Sequence, residues 1–241
     1  MTSLFISGLT IDWDSIPRDS YLRGIDALAG ITSVSFDAPV TFLVGENGSG
    51  KSTLLEAVAI AVGFNPEGGT FNYSFSTYDS HSELCDALTL VRGFRRPRIG
   101  YFLRAESFYN VATKEDEYSR QPGGVPMHLH ERSHGESFLA IVEKTFRPGG
   151  LYLLDEPEAA LSPQRQLTLL AEIDRCIRSD QPAQFIIATH SPILLGMPGA
   201  RILGFDNGAI HPIEYEETAS YQVTSMFINN RERLLHHLLE E

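Results

Sequence analysis

Short apolar runs alternate with longer amphipathic stretches along this chain, and the alternation predicts strands and helices in turn. Four of the apolar runs are short, rich in β-branched or aromatic residues, and bounded by polar or turn-forming residues, which is typical of buried strands. They are PVTFLV (39–44), LYLL (151–154), QFIIAT (184–189) and RILGF (201–205). Because helical patterns separate these runs, the sequence predicts a mainly parallel sheet covered by helices.

Helices are predicted in four places. KSTLLEAVAIAVG follows the first strand and predicts a helix that ends near Gly63, and a second helix begins at Gly135 and is stopped by RPGG. Ser162 is the predicted N-cap of a third helix, with Pro163 at its first helical position. The fourth begins at about Thr224. The apolar faces of the last two carry Leu169, Ile173, Cys176 and Ile177, and Leu234, Leu235, Leu238 and Leu239.

The segment 71–103 has a different pattern, with many aromatic, Ser and Thr residues between turn signals, and it predicts antiparallel strands. The polar stretch 113–126, which contains Gly and Pro, predicts a mobile loop. The length of 241 residues and the hydrophobic content of 42% suit one domain with a full core. We therefore expect a single α/β domain over 1–241, with a mainly parallel core sheet and an antiparallel β layer.

Charge and cysteine content indicate in which compartment the protein works and which partners it binds. Two widely separated cysteines, Cys85 and Cys176, fit reduced thiols, and no signal peptide or apolar run of membrane-spanning length is present, so a cytoplasmic protein is expected. The net charge of −12 argues against nucleic-acid binding by bulk electrostatics. One exception is RGFRRPR (92–98), which is interpreted as a solvated turn between two strands or as a contact for phosphate or a partner.

A glycine-rich loop follows the first predicted strand. The stretch GENGSGKS, from Gly45 to Ser52, fits the pattern G-x-x-x-x-G-K-[ST] and lies between a strand and a helix, as a phosphate-binding loop must. Its backbone N–H groups and the start of the helix would surround a phosphate, Lys51 would reach the β- and γ-phosphates, and Ser52 would ligate Mg²⁺. The predicted nucleotide-binding residues of this loop are Asn47, Gly48, Ser49, Gly50, Lys51, Ser52 and Thr53.

Two adjacent acids end the second predicted strand. Asp155 and Glu156 stand at its carboxyl end, the edge where α/β sheets bind their ligands. Asp155 is suited to the Mg²⁺ shell, and Glu156 is suited to orient or deprotonate an attacking water. The alternative, two solvated turn residues, is weak beside a phosphate loop.

Taken with two further motifs, these residues resemble the ATP-binding-cassette (ABC) ATPase superfamily over most of the chain. The four stretches are GENGSGKST, ERSHGES, LYLLDEPEAALS and IIATHSP, in the family's order, and Ser133 precedes Asp155 by 22 residues. The glutamate-type signature is more similar to the SMC and DNA-repair branch than to transporters. Only about eighty residues separate Ser52 from Ser133, without sustained heptads, so the chain resembles a compact stand-alone member, of the kind called AAA-family ATPase.

The resemblance implies a composite site for ATP and Mg²⁺. Ser133 and Gly135 fall on signature positions that contact the γ-phosphate held by a second subunit, and His190 falls on the switch histidine. It also implies an ATP-dependent homodimer and a small helical signature subdomain at about 104–147. Hydrolysis would reopen the closed dimer.

Several positions depart from the family's pattern. His134 replaces the first signature glycine of transporters, Glu136 replaces their usual glutamine, and Ser162 replaces the aspartate of a dimer-contacting loop. No plain glutamine marks the Q-loop, where Arg104 or Glu106 could stand. Adenine recognition is also open: Tyr21 could stack on the base or serve as an ordinary tyrosine, and Phe36 is expected to pack inside.

The function that follows is a soluble ATPase whose dimerisation drives an unidentified protein partner. The alternative is the ATP-binding subunit of an ABC transporter, which would reach the membrane only through its partner. A slow ATP-dependent switch is disfavoured because it has no need of Glu156 and His190. Nucleic acid as a partner stays open, although the acidic charge does not support it.

Overall fold

The computed structural model describes residues 4–71, 82–104 and 134–239. The strands of the described residues are β1 (Ile6–Ile11), β2 (Ser33–Ser35), β3 (Val40–Val44), β4 (Gly69–Thr70), β5 (Leu88–Arg92), β6 (Gly100–Arg104), β7 (Leu151–Asp155), β8 (Gln184–Ala188), β9 (Arg201–Asp206) and β10 (Ala209–Pro212). The α-helices are α1 (Asp26–Ala29), α2 (Lys51–Val62), α3 (Leu84–Ala87), α4 (His134–Thr145), α5 (Pro163–Ile177), α6 (Pro192–Leu195) and α7 (Ala219–Leu239).

The strands form two sheets. A seven-stranded sheet has the order β10-β9-β3-β8-β7-β6-β4, in which the five strands from β9 to β6 run parallel and the two edge strands antiparallel. A separate antiparallel sheet has the order β2-β1-β5. The predicted α/β class, with a mainly parallel core sheet and an antiparallel layer, is therefore confirmed.

The core lies on both faces of the large sheet. Successive side chains of a strand point to opposite faces, so Leu43 joins a core shared with α2 and the small sheet, while Phe42 joins a core shared with α4 and α5. All five residues of β3, of β7 and of β8 are buried. Burial on both faces explains why these strands are continuous apolar runs rather than alternating patterns.

Two predicted elements differ in detail. Within the segment 71–103, β5 is antiparallel as predicted. The strand β6 pairs antiparallel with β4 on one side but in parallel with β7 on the other, because it is buried on both faces and belongs to the core sheet. The C-terminal helix begins at Ala219 rather than at Thr224, after Thr218 Oγ1 accepts a bond from the Tyr221 N–H. The predicted loop at 113–126 lies outside the described residues.

The helix boundaries otherwise follow local chemistry. The helix α2 ends where Gly63, at φ 111°, takes the left-handed conformation that a residue after a helix often adopts. Ser162 occupies the N-cap position of α5, but its side chain accepts no capping bond there. Among the described residues, no helix combines the length and apolarity needed to cross a membrane.

A buried glutamine joins the two sheets. Gln184, at the start of β8, is 1% exposed. Its Oε1 accepts hydrogen bonds from the backbone N–H groups of Phe5 (2.9 Å) and Ile6 (3.0 Å), and its Nε2 donates to the Ile6 carbonyl oxygen (2.7 Å). The amide therefore satisfies three backbone groups of β1 and of the residue before it.

Replacing this amide should destabilise the fold. Gln184→Leu keeps the side chain's size but removes all three bonds, and buried polar groups without partners cost about 1–3 kcal/mol each. We expect the free energy of unfolding, measured by urea denaturation, to fall by roughly 2–4 kcal/mol after partial relaxation. The exposed Gln164→Leu on α5 is the matched control and should change it little; equal effects of the two substitutions would contradict the role of Gln184.

Candidate functional site

The strands β3, β8 and β7, which precede the motifs, end side by side at the same edge of the large sheet. Leu43 on β3 lies opposite Ala188 on β8, and Ala188 lies opposite Asp155 on β7. The glycine-rich loop follows β3, Glu156 follows β7, and His190 stands two residues beyond β8. The parallel register therefore brings three separate motifs to the same edge of the sheet.

The backbone of the loop needs glycine at its ends. Gly50 has φ 94°, and a Cβ added there would stand 2.8 Å from side-chain atoms of Ile25 and Leu28. Gly45 has φ 153°, and a Cβ there would stand 2.6 Å from the carbonyl oxygen of Phe205. The loop is thus packed between α1 and the end of β9, and only residues without a side chain fit at these two positions.

Lys51 is held in the mouth of the loop. The residue is 4% exposed, and its Nζ donates to the carbonyl oxygens of Gly45 (2.7 Å) and Glu46 (2.8 Å). Burial lowers the pKa of this ammonium below its ordinary value, while the negative charges of Glu156, Asp155 and Glu158 oppose that shift. Lys51 is thus the positive charge that the loop can offer to an anionic ligand, while the neighbouring carboxylates would need a bound cation beside such a ligand.

Ser52 and Asp155 join the loop to the acidic strand end. The Ser52 hydroxyl donates a 2.8 Å hydrogen bond to Asp155 Oδ1, although the two residues are 103 positions apart. Asp155 is 8% exposed and ends β7. A hydroxyl and a carboxylate that converge beside a phosphate loop are the oxygen ligands that Mg²⁺ takes from a protein.

Glu156 and His190 face each other across the strand ends. Glu156 has the unusual φ of 48°, its N–H donates to the Ala188 carbonyl oxygen (2.9 Å), and its side chain is 42% exposed. His190 Nε2 lies 3.7 Å from Glu156 Oε1, which is too far for a hydrogen bond. Within the described part of the chain, that buried Nε2 has no hydrogen-bond partner. The pair is close enough to share a ligand between them.

Glu158 belongs to this site, although the motif analysis assigned it no role. Its Oε1 accepts a 2.6 Å hydrogen bond from the backbone N–H of His190. Its Oε2 is buried and has no hydrogen-bond partner among the described residues. The signal was present in LYLLDEPE, where a third acid follows Asp155 by three residues. Its contact with His190, 32 positions away, is set by the fold and is not readable from that spacing.

The signature residues lie on and before α4. Ser133 and the Q-loop candidate Glu106 lie outside the described residues. Gly135 is packed against the turn that follows Glu156, since a Cβ there would stand 2.9 Å from the Ala160 carbonyl oxygen. The other Q-loop candidate, Arg104, ends β6 in the same row as Asp155 and forms an ion pair with Glu56 (2.8 Å).

The two aromatic residues considered for the base lie in different environments. Tyr21 is 61% exposed, and its hydroxyl donates to Ser82 Oγ (3.1 Å). Phe36 is 2% exposed and packs in the core, as predicted. Stacking of a base on Tyr21 stays a prediction.

The arginine-rich loop 92–98 is a turn between β5 and β6. It precedes Gly100, at the amino end of the parallel strands, so it stands at the sheet edge opposite the phosphate loop. Arg92 donates to the Ala61 carbonyl oxygen and Arg95 to Gln181, while Phe94 between them is fully exposed. These residues take no part in the site at the carboxyl edge.

Two protein-family models match the chain. The model described as "AAA domain" covers residues 21–93, which include the phosphate loop. The model described as "AAA domain, putative AbiEii toxin, Type IV TA system" covers residues 137–196, which include Asp155, Glu156 and His190. Among curated proteins, none matches this chain significantly.

Several solved structures are similar at low identity. An ATP-binding cassette of an ABC transporter is 15% identical, with 96% of this chain and 98% of that chain covered and a TM-score of 0.47. The SMC head domain from Thermotoga maritima is 16% identical, with 88% and 100% covered and a TM-score of 0.45. An SmcHead bound to the C-winged helix domain of ScpA is 16% identical, with 87% and 97% covered and a TM-score of 0.49.

The two family models and the phosphate loop support the predicted recognition as a P-loop ATPase, of the kind called AAA-family. They also confirm that the chain is an ATP-binding hydrolase. The fold assignment rests on the strand order and on the packing of the loop. The three solved structures add no argument to it, since their TM-scores lie below 0.5.

The contact between Glu158 and His190 yields a prediction about turnover. Glu158→Ala removes the acceptor of the His190 N–H, so the imidazole should lose its fixed position and kcat should fall about tenfold, the effect of one lost hydrogen bond of about 1.4 kcal/mol. The KM for ATP should change little, because the phosphate loop is untouched. Steady-state ATPase assays measure both constants.

A second substitution at Glu158 tests whether the residue positions His190 or only stabilises the fold. Glu158→Gln keeps a carbonyl oxygen at Oε1 and should restore most of the turnover, whereas the exposed Glu143→Ala on α4 should have no effect. A Gln variant as slow as the Ala variant would mean that the charge of Glu158, rather than its hydrogen bond, matters.

Proposed function

From a P-loop ATPase fold whose loop and acidic strand end are already in contact, we propose that this protein hydrolyses Mg-ATP in a composite site between two copies of the chain. Dimer closure and reopening would then drive a conformational change in a protein partner. The observation that carries the proposal is the 2.8 Å bond between Ser52 and Asp155, since it joins the phosphate loop to the catalytic edge without any ligand.

The protein ligands fit a magnesium ion. Ser52 Oγ and Asp155 Oδ1 are neighbouring oxygens beside the loop, and Mg²⁺ usually takes one or two protein oxygens and completes its shell with phosphates and water. No cluster of three His, Cys, Asp or Glu within the described ranges offers an all-protein cage instead. Bound there, the ion would neutralise charge on the β- and γ-phosphates.

The loop residues bind the triphosphate in this mechanism. Residues 47–53 supply backbone N–H groups, and the amino end of α2 adds its positive dipole. Lys51, now bonded to two loop carbonyls, turns its ammonium to the β- and γ-phosphates, which are stronger acceptors.

Glu156 and His190 act on the far side of the γ-phosphate. The Glu156 carboxylate would orient the attacking water and accept its proton while the water oxygen bonds to the γ-phosphorus. The bond from that phosphorus to the bridging oxygen then breaks and ADP leaves. His190 Nε2 is buried and lies 3.7 Å from that carboxylate. It would donate a hydrogen bond to the γ-phosphate and so hold the phosphate next to the Glu156 carboxylate. Glu158 positions His190 through its backbone.

A second copy would complete the site. The side chains of Glu156 and His190 are 42% and 39% exposed, so the site stays partly open to water in one chain, although His190 Nε2 itself is buried. By the resemblance, Ser133 and Gly135 of another copy would cover the γ-phosphate and exclude that water. This arrangement makes dimerisation dependent on ATP.

The catalytic carboxylate supplies the first test. Glu156→Gln keeps the side chain's shape but cannot accept a proton, so kcat should fall about 10²- to 10⁴-fold while ATP binding persists. Light scattering of this variant with Mg-ATP should show a dimer, and without nucleotide a monomer.

The exposed Glu216→Gln serves as the control and should behave as wild type. Turnover at the wild-type rate in Glu156→Gln would refute the catalytic assignment. A variant that binds ATP but stays monomeric would refute the homodimer and favour a site completed by a different subunit, as in a transporter.

Lys51 supplies the second test. Lys51→Ala removes the charge partner of the phosphates, and the loss of charge-assisted hydrogen bonds should weaken ATP binding about 10- to 100-fold in calorimetry. Lys144→Ala, which removes an exposed positive charge on α4, should leave the affinity unchanged. Equal affinities in the two variants would exclude Lys51 from the phosphate site.

A further inference from the structure

A cavity of about 670 Å³ lies at the sheet edge opposite the phosphate loop. Residues 95–99, the turn 148–149 and Gln181 form its walls. These three segments precede the parallel strands β6, β7 and β8, so they meet at the amino edge of the large sheet. The volume lies in the range of about 300–1,000 Å³ that is usual for ligand pockets. Among the described residues that line this cavity, none is one that we assign to ATP.

Arginines give the cavity its charge, and we call it the arginine cavity. Arg95, Arg96 and Arg98 line it, and none of its lining residues within the described ranges is an acid. Arg96 and Arg98 are exposed and form no hydrogen bond or ion pair in the described part of the chain. A guanidinium carries paired N–H donors in one plane, which match the two oxygens of a carboxylate. Two of the three arginines are therefore available to bind an anion.

The walls of the arginine cavity are held in place by contacts within the chain. The Arg95 guanidinium donates to Gln181 Oε1 (3.0 Å) and lies 5.9 Å from the centre of the Phe5 ring. At the other end of the same wall, the Ile99 carbonyl oxygen accepts a 3.2 Å hydrogen bond from the Leu151 N–H. Because the fold orders these groups beforehand, a ligand meets a lower entropic cost on binding. Arg95 thus belongs to the framework of the cavity and leaves the two exposed arginines to meet a ligand.

An exposed aromatic ring belongs to the same loop. Phe94 immediately precedes Arg95 and is fully exposed to solvent. Phenylalanine is among the residues most often buried in a folded protein, and aromatic residues and arginine are enriched at protein interfaces. Pro97 and Pro148 add apolar surface to the walls of the cavity. Cations and apolar groups in one place suit a peptide segment in which acidic residues flank an apolar one.

The distribution of charge favours a protein segment over a nucleic acid as the ligand. Four arginines fall within residues 92–98, in a chain whose net charge is −12. A domain that binds nucleic acid usually carries an extended basic stripe that contacts many phosphates. An acidic chain repels a long polyanion, whereas a short acidic segment meets mainly the local positive charge, because salt screens the more distant charges. Arginine clusters are also a recurrent means of recognising acidic peptide motifs.

We propose that the arginine cavity and Phe94 dock a short acidic segment of the protein partner that the ATPase drives. Carboxylates of that segment pair with Arg96 and Arg98, and an apolar side chain between them packs against Phe94. A partner held at the amino edge does not cover the carboxyl edge, so ATP can enter and leave while the partner stays bound. Because the occupant is taken to be the partner of the ATPase, the proposal rests on the proposed function.

A fluorescein-labelled peptide with four glutamates around one tryptophan is the probe, and fluorescence anisotropy in low-salt buffer measures its binding to the full chain. Wild type should bind it at least about tenfold more tightly than the same peptide with glutamine in place of glutamate. Arg96→Ala combined with Arg98→Ala should weaken binding of the acidic peptide at least about tenfold, because two charged contacts are lost. Phe94→Ala should weaken it several-fold. Turnover of ATP without peptide should stay at the wild-type rate in all these variants.

The control combines Arg231→Ala with Arg233→Ala, two exposed arginines on α7, and should bind the acidic peptide as wild type does. An equal loss in the two double variants, or a wild-type Kd above about 1 mM, overturns the docking surface. A single-stranded oligonucleotide that binds more tightly than the acidic peptide, and depends on the same two arginines, overturns the protein segment in favour of nucleic acid. Peptide binding by a wild-type protein that hydrolyses no ATP leaves the docking surface standing and refutes the proposed function.

Discussion

The parallel register of β3, β8 and β7 is the constraint on which the site depends. Leu43, Ala188 and Asp155 lie in one row, so the residues that follow each strand meet at one edge of the sheet. A shift of one strand by a single residue would turn its buried side chains to the wrong face, and the apolar cores on both faces oppose such a shift. Packing in the core of the sheet therefore sets the distances between the phosphate loop, the acids Asp155 and Glu156, and His190.

Much of this arrangement could be predicted from the sequence, because the signals are local. The spacing of Gly45, Gly50 and Lys51 reflects the backbone that a phosphate loop needs, and Asp155 and Glu156 mark a strand end by following an apolar run. Short apolar runs also identified the buried strands of the core sheet. Each of these features is contained in fewer than ten consecutive residues.

The remaining features depend on contacts between distant segments. Glu158 contacts His190 across 32 positions, and Gln184 contacts Ile6 across 178. The parallel pairing of β6 with β7 was not predicted for a related reason: a short apolar run shows that a strand is buried but not which neighbours it pairs with. No short stretch of the sequence contains a signal for these contacts or for this strand pairing.

The bonds of Gln184 to β1 bear on the choice of one structure among several as well as on stability. An antiparallel strand with apolar residues can slide by two positions and still bury the same face, so its hydrophobic pattern alone does not select a pairing. The amide of Gln184 accepts from two adjacent N–H groups and donates to one carbonyl, and all three groups belong to Phe5 and Ile6 at the start of the strand. One side chain of the core sheet thus fixes the place at which the first strand of the second sheet packs against it.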